Sequence, residues 1–308
     1  MAATLLMSTF TALLRVTIDD QHQLAAVEPL HTGMGIYFGL TAGQGHVFAV
    51  ARNLDIHKQV LDARWGRNNI LVSPYPFDPT SWQAWTLPEF ADLHQIRFHG
   101  GLLWIVNGRA PELLAVDPRS RRLVVQLPLA DMVPAEWQHP APPEHPEDRF
   151  HFNSLFFTED RLFVLAHNWD EGSFVLELSH AGPETALAMP RVARMYPHLG
   201  RNSHDVYWDG ERLLVLDSGG CRVLTSDGQA GVFGSTETRG GFLRGLAVDD
   251  RFLYVGQGSF SDARADRMNG ASWLVILERP TLRPLAMLDV GPFGNTCDLL
   301  LLDPPPAT

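Results

Sequence analysis

Ser203-His-Asp-Val-Tyr-Trp-Asp-Gly-Glu-Arg-Leu-Leu-Val-Leu-Asp-Ser218 sets two apolar runs on either side of a short polar turn. Val, Tyr, Trp and Leu suit a pleated, buried surface, and Asp-Gly accepts the positive φ of a tight hairpin. The stretch therefore predicts two antiparallel strands headed by a polar residue. The same design returns as His94-Gln-Ile-Arg-Phe-His-Gly-Gly-Leu-Leu-Trp-Ile-Val-Asn107 and as Asn153-Ser-Leu-Phe-Phe-Thr-Glu-Asp-Arg-Leu-Phe-Val-Leu-Ala-His-Asn168. It appears again in Arg244-Gly-Leu-Ala-Val-Asp-Asp-Arg-Phe-Leu-Tyr-Val-Gly-Gln257 and, more loosely, from Met34 to Asn53.

Further strand-like runs follow each hairpin, such as Glu112-Leu-Leu-Ala-Val-Asp117 and Arg122-Leu-Val-Val-Gln-Leu127. Four strands per repeat is the composition of a propeller blade. Repeats starting at Met34, His94, Asn153, His204, Arg244 and Cys297 lie roughly fifty residues apart, somewhat above the usual blade period. Helical periodicity is nowhere sustained. The expected fold is all-β: a six-bladed β-propeller with four antiparallel strands per blade, occupying 1–308 as one domain.

The last repeat supplies only one strand, Cys297-Asp-Leu-Leu-Leu-Leu302, before Asp303-Pro-Pro-Pro stops it. Three unassigned runs stand near the start, at Thr4–Phe10, Leu13–Ile18 and Gln23–Val27. Residues 1–30 are therefore expected to complete the last blade with 296–303. Ring closure of this kind removes the open sheet edges that invite aggregation. An elongated β-sandwich or an open array is the alternative, and the complementary ends argue against it.

Composition narrows the partners. A formal charge of −11 disfavours nucleic acid, whose phosphates require a cationic face, and an anionic membrane surface. Two cysteines, Cys221 and Cys297, make no disulfide framework. The N-terminus resembles a signal peptide only faintly, lacking a positive leader and broken by Ser8, Thr9 and Thr11, so a cytoplasmic location is expected. No run approaches the length of a membrane helix. Motifs GxSxG, GxxxxGK[ST] and HExxH do not occur. Gly219-Gly220 and Gly240-Gly241 read as turns, so no nucleotide cofactor is expected.

In a propeller the innermost strand of each blade begins at the channel mouth. The repeat template aims Met34, His94, Asn153, His204, Arg244 and Cys297 at the axis. His94, His204 and Cys297 alternate around it, and imidazole and thiolate suit Zn, Fe or Cu. A divalent transition metal held by those three is one expectation, with Met34 and His151 close enough to contribute. Solvated channel histidines are the plain alternative. Arg244 favours an anionic small molecule, held bidentately, unless it is paired internally with Asp205 or Asp298. Asn153 would orient the reacting group and His204 would act as general base. Asn107, Asn168, Asp217 and Gln257 end the second strands near the same face; the first three join Arg244 as candidate substrate contacts.

Long connections (Asn53–Asn68, Asp131–Arg149, Met189–Asn202 and Ser259–Asn269) fall on that face and suggest a covered funnel. His57, Arg64, Trp137, His139, His145, Arg201 and Arg267 are its candidate lid residues. Tyr37, Trp208 and Tyr254 read as packing aromatics, and His22, His46, His99, His180 and His198 as surface or turn positions.

The Ser203–Ser218 stretch resembles the NGLxW…DGxxLYxxDS strand pair of six-bladed NHL-like propellers, in particular the gluconolactonase/regucalcin and diisopropyl-fluorophosphatase group. The likeness spans about Met34 to Leu302. It implies a divalent cation held on the axis by Glu, Asn and Asp, and hydrolysis of lactones or phosphotriesters. Asn153 matches one Asn ligand and Asp217 the Asp closing the motif. Met34 stands at the Glu position, His204 at an Asn position, and Arg244 or Cys297 at the Asp position. The series Asn-Ser-Leu, Ser-His-Asp and Phe-Leu-Arg-Gly-Leu-Ala looks closer to uncharacterised bacterial propellers.

Three functions compete. One is a metal-assisted enzyme, of hydrolase or lyase type, acting on a small anionic molecule at the channel mouth. Another is a non-catalytic platform that binds a peptide, sugar or protein partner on the looped face. The third is a metal-free lyase or isomerase with His204 as general base.

Overall fold

Six antiparallel sheets of four strands each build the molecule. The computed structural model describes residues 2–76, 81–138, 149–167, 172–179, 190–228, 230–232, 241–261 and 263–302. The closing blade combines β1 (Ala3–Thr9), β2 (Ala12–Ile18) and β3 (Leu24–Thr32) with β24 (Thr296–Leu302) from the other end of the chain. Thr4 lies opposite Leu302 and Leu6 opposite Leu300. The expected closure is present.

The next blades are β4 (Ile36–Gly43), β5 (His46–Arg52), β6 (Asn68–Pro74) and β7 (Gln83–Trp85), then β8 (Leu93–His99), β9 (Leu102–Asn107), β10 (Glu112–Asp117) and β11 (Arg122–Pro128). The third of these is β12 (His151–Phe157), β13 (Arg161–His167), β14 (Ser173–Ser179) and β15 (Arg191–Tyr196). Then come β16 (His204–Trp208), β17 (Leu213–Asp217), β18 (Arg222–Thr225) and β19 (Ala230–Val232). The last is β20 (Gly241–Val248), β21 (Phe252–Ser259), β22 (Ser272–Glu278) and β23 (Arg283–Gly291). Innermost strands touch their neighbours in the order β24, β4, β8, β12, β16, β20 and back to β24. That order is a closed ring.

The core lies between blades rather than at one centre. Trp104, Val106 and Leu113 of one blade pack with Phe152, Phe174 and Leu176 of the next. Met7, Leu14 and Val16 pack with Tyr254, Leu274 and Ile276. Both faces of each blade are therefore apolar, which is why the strands read as continuous hydrophobic runs rather than alternating ones.

Every innermost strand carries an irregularity in its pairing near its start, between Tyr37/Leu40, Leu93/Ile96, Phe152/Ser154, His204/Val206, Leu243/Leu246 and opposite Ser8/Thr9. Such a bulge re-aims a side chain out of the sheet. The inward positions become Phe38-Gly39, His94-Gln95, Asn153-Ser154, His204-Asp205, Arg244 and Cys297-Asp298, all lining one small axial cavity. The expectation for Met34 fails here. Its side chain is buried with Leu6, Leu13 and Tyr37 in an inter-blade cluster, because β4 begins two residues after it and bulges only between Tyr37 and Leu40.

Gly39 makes this approach feasible. A Cβ at that position would stand 2.5 Å from the Ile96 backbone nitrogen and 2.6 Å from the Gln95 Cα. Gly39→Ala is expected to push β4 and β8 apart and cost about 1–3 kcal/mol, the usual penalty of overpacking. The drop in urea midpoint at unchanged slope checks it.

Candidate channel-mouth site

Beside the axial cavity, rings meet across four blades, edge to face except for the stacked pair His151 and His167. His94 and His151 lie 4.7 Å apart between centroids, His151 and His167 5.4 Å, His167 and His204 5.1 Å, and His204 and Phe242 5.4 Å. On the other side His94 meets Phe38 at 5.5 Å and Phe38 meets Phe10 at 6.3 Å. His151 and His167 head one strand and end its partner, as directly opposed residues of β12 and β13.

The hydrogen bonds of His204 fix its tautomer. Nδ1 lies 2.8 Å from the Asn202 carbonyl and 2.9 Å from Ser218 Oγ. The Ser218 hydroxyl already donates to the Leu243 carbonyl at 2.6 Å, so it accepts from the ring. Nδ1 therefore carries the proton, and Nε2 keeps a lone pair. That Nε2 is buried with no partner among the described residues, an arrangement that polar groups normally avoid. Burial, then Arg244, holds the His204 imidazole well below its ordinary pKa; it is neutral.

His167 is the opposite case. Its Nε2 lies 3.2 Å from Asn153 Nδ2 and its Nδ1 3.3 Å from Ser173 Oγ. Asn153 also donates to the Ser203 carbonyl at 2.9 Å and accepts from Ser154 Oγ at 2.6 Å. The Asn153 amide is thus spent on holding His167 and the neighbouring blade. It lines the cavity with both N–H groups committed and one Oδ1 lone pair still open.

Asn107 and Asp217 are spent in the same way. Asn107 Oδ1 accepts from the Ala91 and Asp92 amides, and its Nδ2 donates to the Glu89 carbonyl and Glu112. Asp217 accepts from the Arg201 and Gly220 amides and from Arg222 Nε at 2.7 Å. These side chains staple the loops that follow their strands, and neither lines the axial cavity. Asn168 lies outside the described residues, as do His139, His145 and His180.

The donor set expected for a metal does not converge. His94 Nε2 faces Asp92 Oδ2 at 3.3 Å. Burial pushes the Cys297 thiol up to about 12, with Arg244 and Arg52 opposing, so the sulfur keeps its proton, whereas the thiolate is the ligating form. No three His, Cys, Asp or Glu side chains among the described residues form a group able to hold a metal ion. His94, His204 and Cys297 share the cavity wall without forming a ligand cage.

Cations dominate instead. Arg244 leans on Phe242 at 5.2 Å and lies beside Cys297, with Nε buried and unpartnered among the described residues. Among the described residues neither carboxylate considered for it makes an ion pair with it: Asp298 meets Arg97 at 3.3 Å, and Asp205 accepts from Gln95 Nε2 at 2.6 Å and the Gly245 amide at 2.7 Å. Arg52 sits over Phe38 at 4.0 Å and pairs with Asp92 at 2.6 Å. Sequence reasoning passed over Arg52 and His167 because each ends a second strand as one polar residue in an apolar run.

Beneath this layer the second residue of each bulge laces the ring. Gln95 Oε1 accepts from the Leu155 amide, Ser154 Oγ from the Asp205 amide, and Asp298 Oδ2 from the Leu40 amide. The cavity here is about 20 Å3, room for about one water molecule. A ligand must therefore sit above it, against the histidines and arginines.

No protein-family model matches the chain, and no curated protein matches it. Solved structures share its fold. A chain of a nidogen/laminin complex aligns with TM-score 0.61 at 8% identity, covering 97% of each chain. The periplasmic gluconolactonase of Pseudomonas aeruginosa aligns with TM-score 0.59 at 15% identity, over 99% of this chain and 100% of that one. Regucalcin from Agrobacterium tumefaciens, described as a calcium-binding protein, gives 0.54 at 12% identity over 87% and 79%. At such identities the likeness is one of architecture. The chain is a six-bladed β-propeller, a fold it shares with these structures.

Proposed function

We propose that the chain is a hydrolase of small anionic esters or lactones, working at the channel mouth without a resident metal. One observation carries the reading: a neutral, tautomer-locked His204 presents a buried Nε2 in the same cavity wall as the guanidinium of Arg244, and neither that Nε2 nor the Arg244 Nε has a partner among the described residues. Lactonase-like propellers among the structural neighbours support the reaction class at the level of fold.

His204 Nε2 accepts a proton from water as the oxygen attacks the substrate carbonyl carbon. Arg244 stabilises the negative charge that develops on the carbonyl oxygen. When the ring C–O bond breaks, the proton on His204 passes to the departing alkoxide, leaving a hydroxy acid and a neutral imidazole. An anionic substrate offsets the nearby arginines and raises the basicity of His204 at the moment it is needed.

The pH dependence tests this assignment. The group is active when neutral, and its free-enzyme pKa is lowered, so neutrality persists below the ordinary imidazole range. kcat/KM, which reports the free enzyme, is expected to stay flat through pH 6.5 and to fall only at more acid pH. A screen of lactones and carboxylate or phosphate esters by pH-stat supplies the substrate for that profile. An acid limb centred at 6.5 would count against His204. Absence of turnover across the screen, with a protein partner captured on the same face, would favour the non-catalytic platform.

A further inference from the structure

The segment between β21 and β22 carries a short helix, α1 (Arg264–Asn269), seated over the same mouth. It is fixed by backbone bonds from Asn295 to the Arg267 carbonyl at 2.7 Å and from Gly294 to the Gly270 carbonyl at 2.9 Å. A Cβ at Gly294 would lie 2.9 Å from the Arg267 and Met268 carbonyls, so the seat admits only glycine's close approach. The Arg267 guanidinium lies 5.7 Å from the centre of Phe10, the ring next to Phe38, over which Arg52 stands. Arg264 Nε and Nη2 and Arg267 Nε are buried without partners among the described residues.

Charge counting makes this unusual. Arg52, Arg244, Arg264 and Arg267 act on one another as like charges, and the carboxylates that favour Arg264 are Asp55 and Asp92. Asp92 is taken by Arg52, and Asp55 Oδ1 by the His57 and Gln59 amides. Asp266 on α1 is turned to Ser261. Below, Arg97 answers Asp298, and burial together with Asp298 pushes Asp205 up to about 7. Among the described residues these four guanidiniums outnumber the carboxylates near them, in a chain of net charge −11. Buried charges are normally paired, and Arg264 Nε and Nη2 and Arg267 Nε find no partner among the described residues.

We infer that Arg264 and Arg267, with Arg52 beside them, form a phosphate subsite, so that the substrate is a phosphate monoester whose dianionic group lies under α1 while its carbonyl faces His204. This rests on the proposed hydrolase reading for the second half of that statement only. Guanidinium forks suit phosphate oxygens, and three guanidinium nitrogens on α1 are buried with no partner among the described residues.

Calorimetric titration of inorganic phosphate into the full chain tests it. Saturable binding is expected, weakened at least tenfold in Arg264→Gln/Arg267→Gln. The unliganded variant should melt no lower than wild type, since like charges have been removed. Asp55→Asn keeps the Oδ1 acceptor and deletes one negative charge, and should tighten phosphate severalfold. Loss of binding in the double variant supports the subsite even if no hydrolysis is ever found. Acetate binding more tightly than phosphate, or unchanged phosphate affinity in both the double variant and Asp55→Asn, overturns it. A wild type that hydrolyses neutral lactones but binds no phosphate also overturns the subsite, and leaves the hydrolase reading standing.

Discussion

His204→Ala is expected to lower kcat/KM by about 10²–10⁴-fold, the usual contribution of a positioned general base. KM should change little, because the imidazole takes up a proton and does not hold the substrate's charge. The fold should survive: Ser218 Oγ keeps its bond to the Leu243 carbonyl, and the Asn202 carbonyl is only partly buried at the mouth. His204→Gln offers a sharper comparison. It retains a polar group but cannot cycle a proton, so it should fall with alanine rather than with wild type. Arg244→Gln, by contrast, should raise KM and lower kcat together. A His204→Ala enzyme within threefold of wild type on the preferred substrate would remove the base from the mechanism.

The largest effect on stability is expected at Asp205. Its carboxylate joins Gln95 from one blade and the Gly245 amide from another, and its own amide donates to Ser154 on a third. Asp205→Ala strands two donors in the interior at about 1–3 kcal/mol each, so the unfolding midpoint should drop by the equivalent of about 3–5 kcal/mol. Burial, and after it the neighbouring Asp298, raises the Asp205 pKa from 3.8 to about 7. The folded chain therefore binds this proton more tightly than the unfolded chain. Its contribution to stability is lost as pH rises from about 4 to 7, so from this group alone the protein is firmer at pH 5 than at pH 7.5. Urea midpoints at the two pH values measure the difference. The difference should shrink in Asp205→Asn, which has nothing to titrate.

Much of the architecture was legible because a propeller repeats itself. The hairpins at His94, Asn153, His204 and Arg244 share turn chemistry and strand composition, and the unpaired runs at the two ends fit one missing sheet. The bulges were not legible, since hydrophobic runs align equally well with or without an extra residue. The first copy shows the cost: counting from Met34 placed a thioether at the axis, where Phe38 stands. A signal was present in the triplets Phe38-Gly-Leu, His94-Gln-Ile, Asn153-Ser-Leu, His204-Asp-Val, Arg244-Gly-Leu and Cys297-Asp-Leu. Each is an inward residue, a small or polar one, and an aliphatic one. The site was legible at its axial positions and not at Arg52, His167 and Arg264, whose importance depends on neighbours from other blades. Asn107 and Asp217 misled for the converse reason: a polar residue ending a strand near a mouth is as well used tying down the next loop.

The pairing of β1 with β24 also governs how the chain is made. Residue 4 finds its partner at residue 302, so the whole of β24 must be synthesised before β1 gains its second neighbour. Five sheets are built from contiguous sequence and can form as they appear, while β1 to β3 wait as a three-stranded sheet with a bare edge. Such late, sequence-distant contacts slow folding, and a waiting edge is open to mispairing with other chains. Nascent molecules stalled before residue 296 are thus the population in which chaperone capture and aggregation should concentrate.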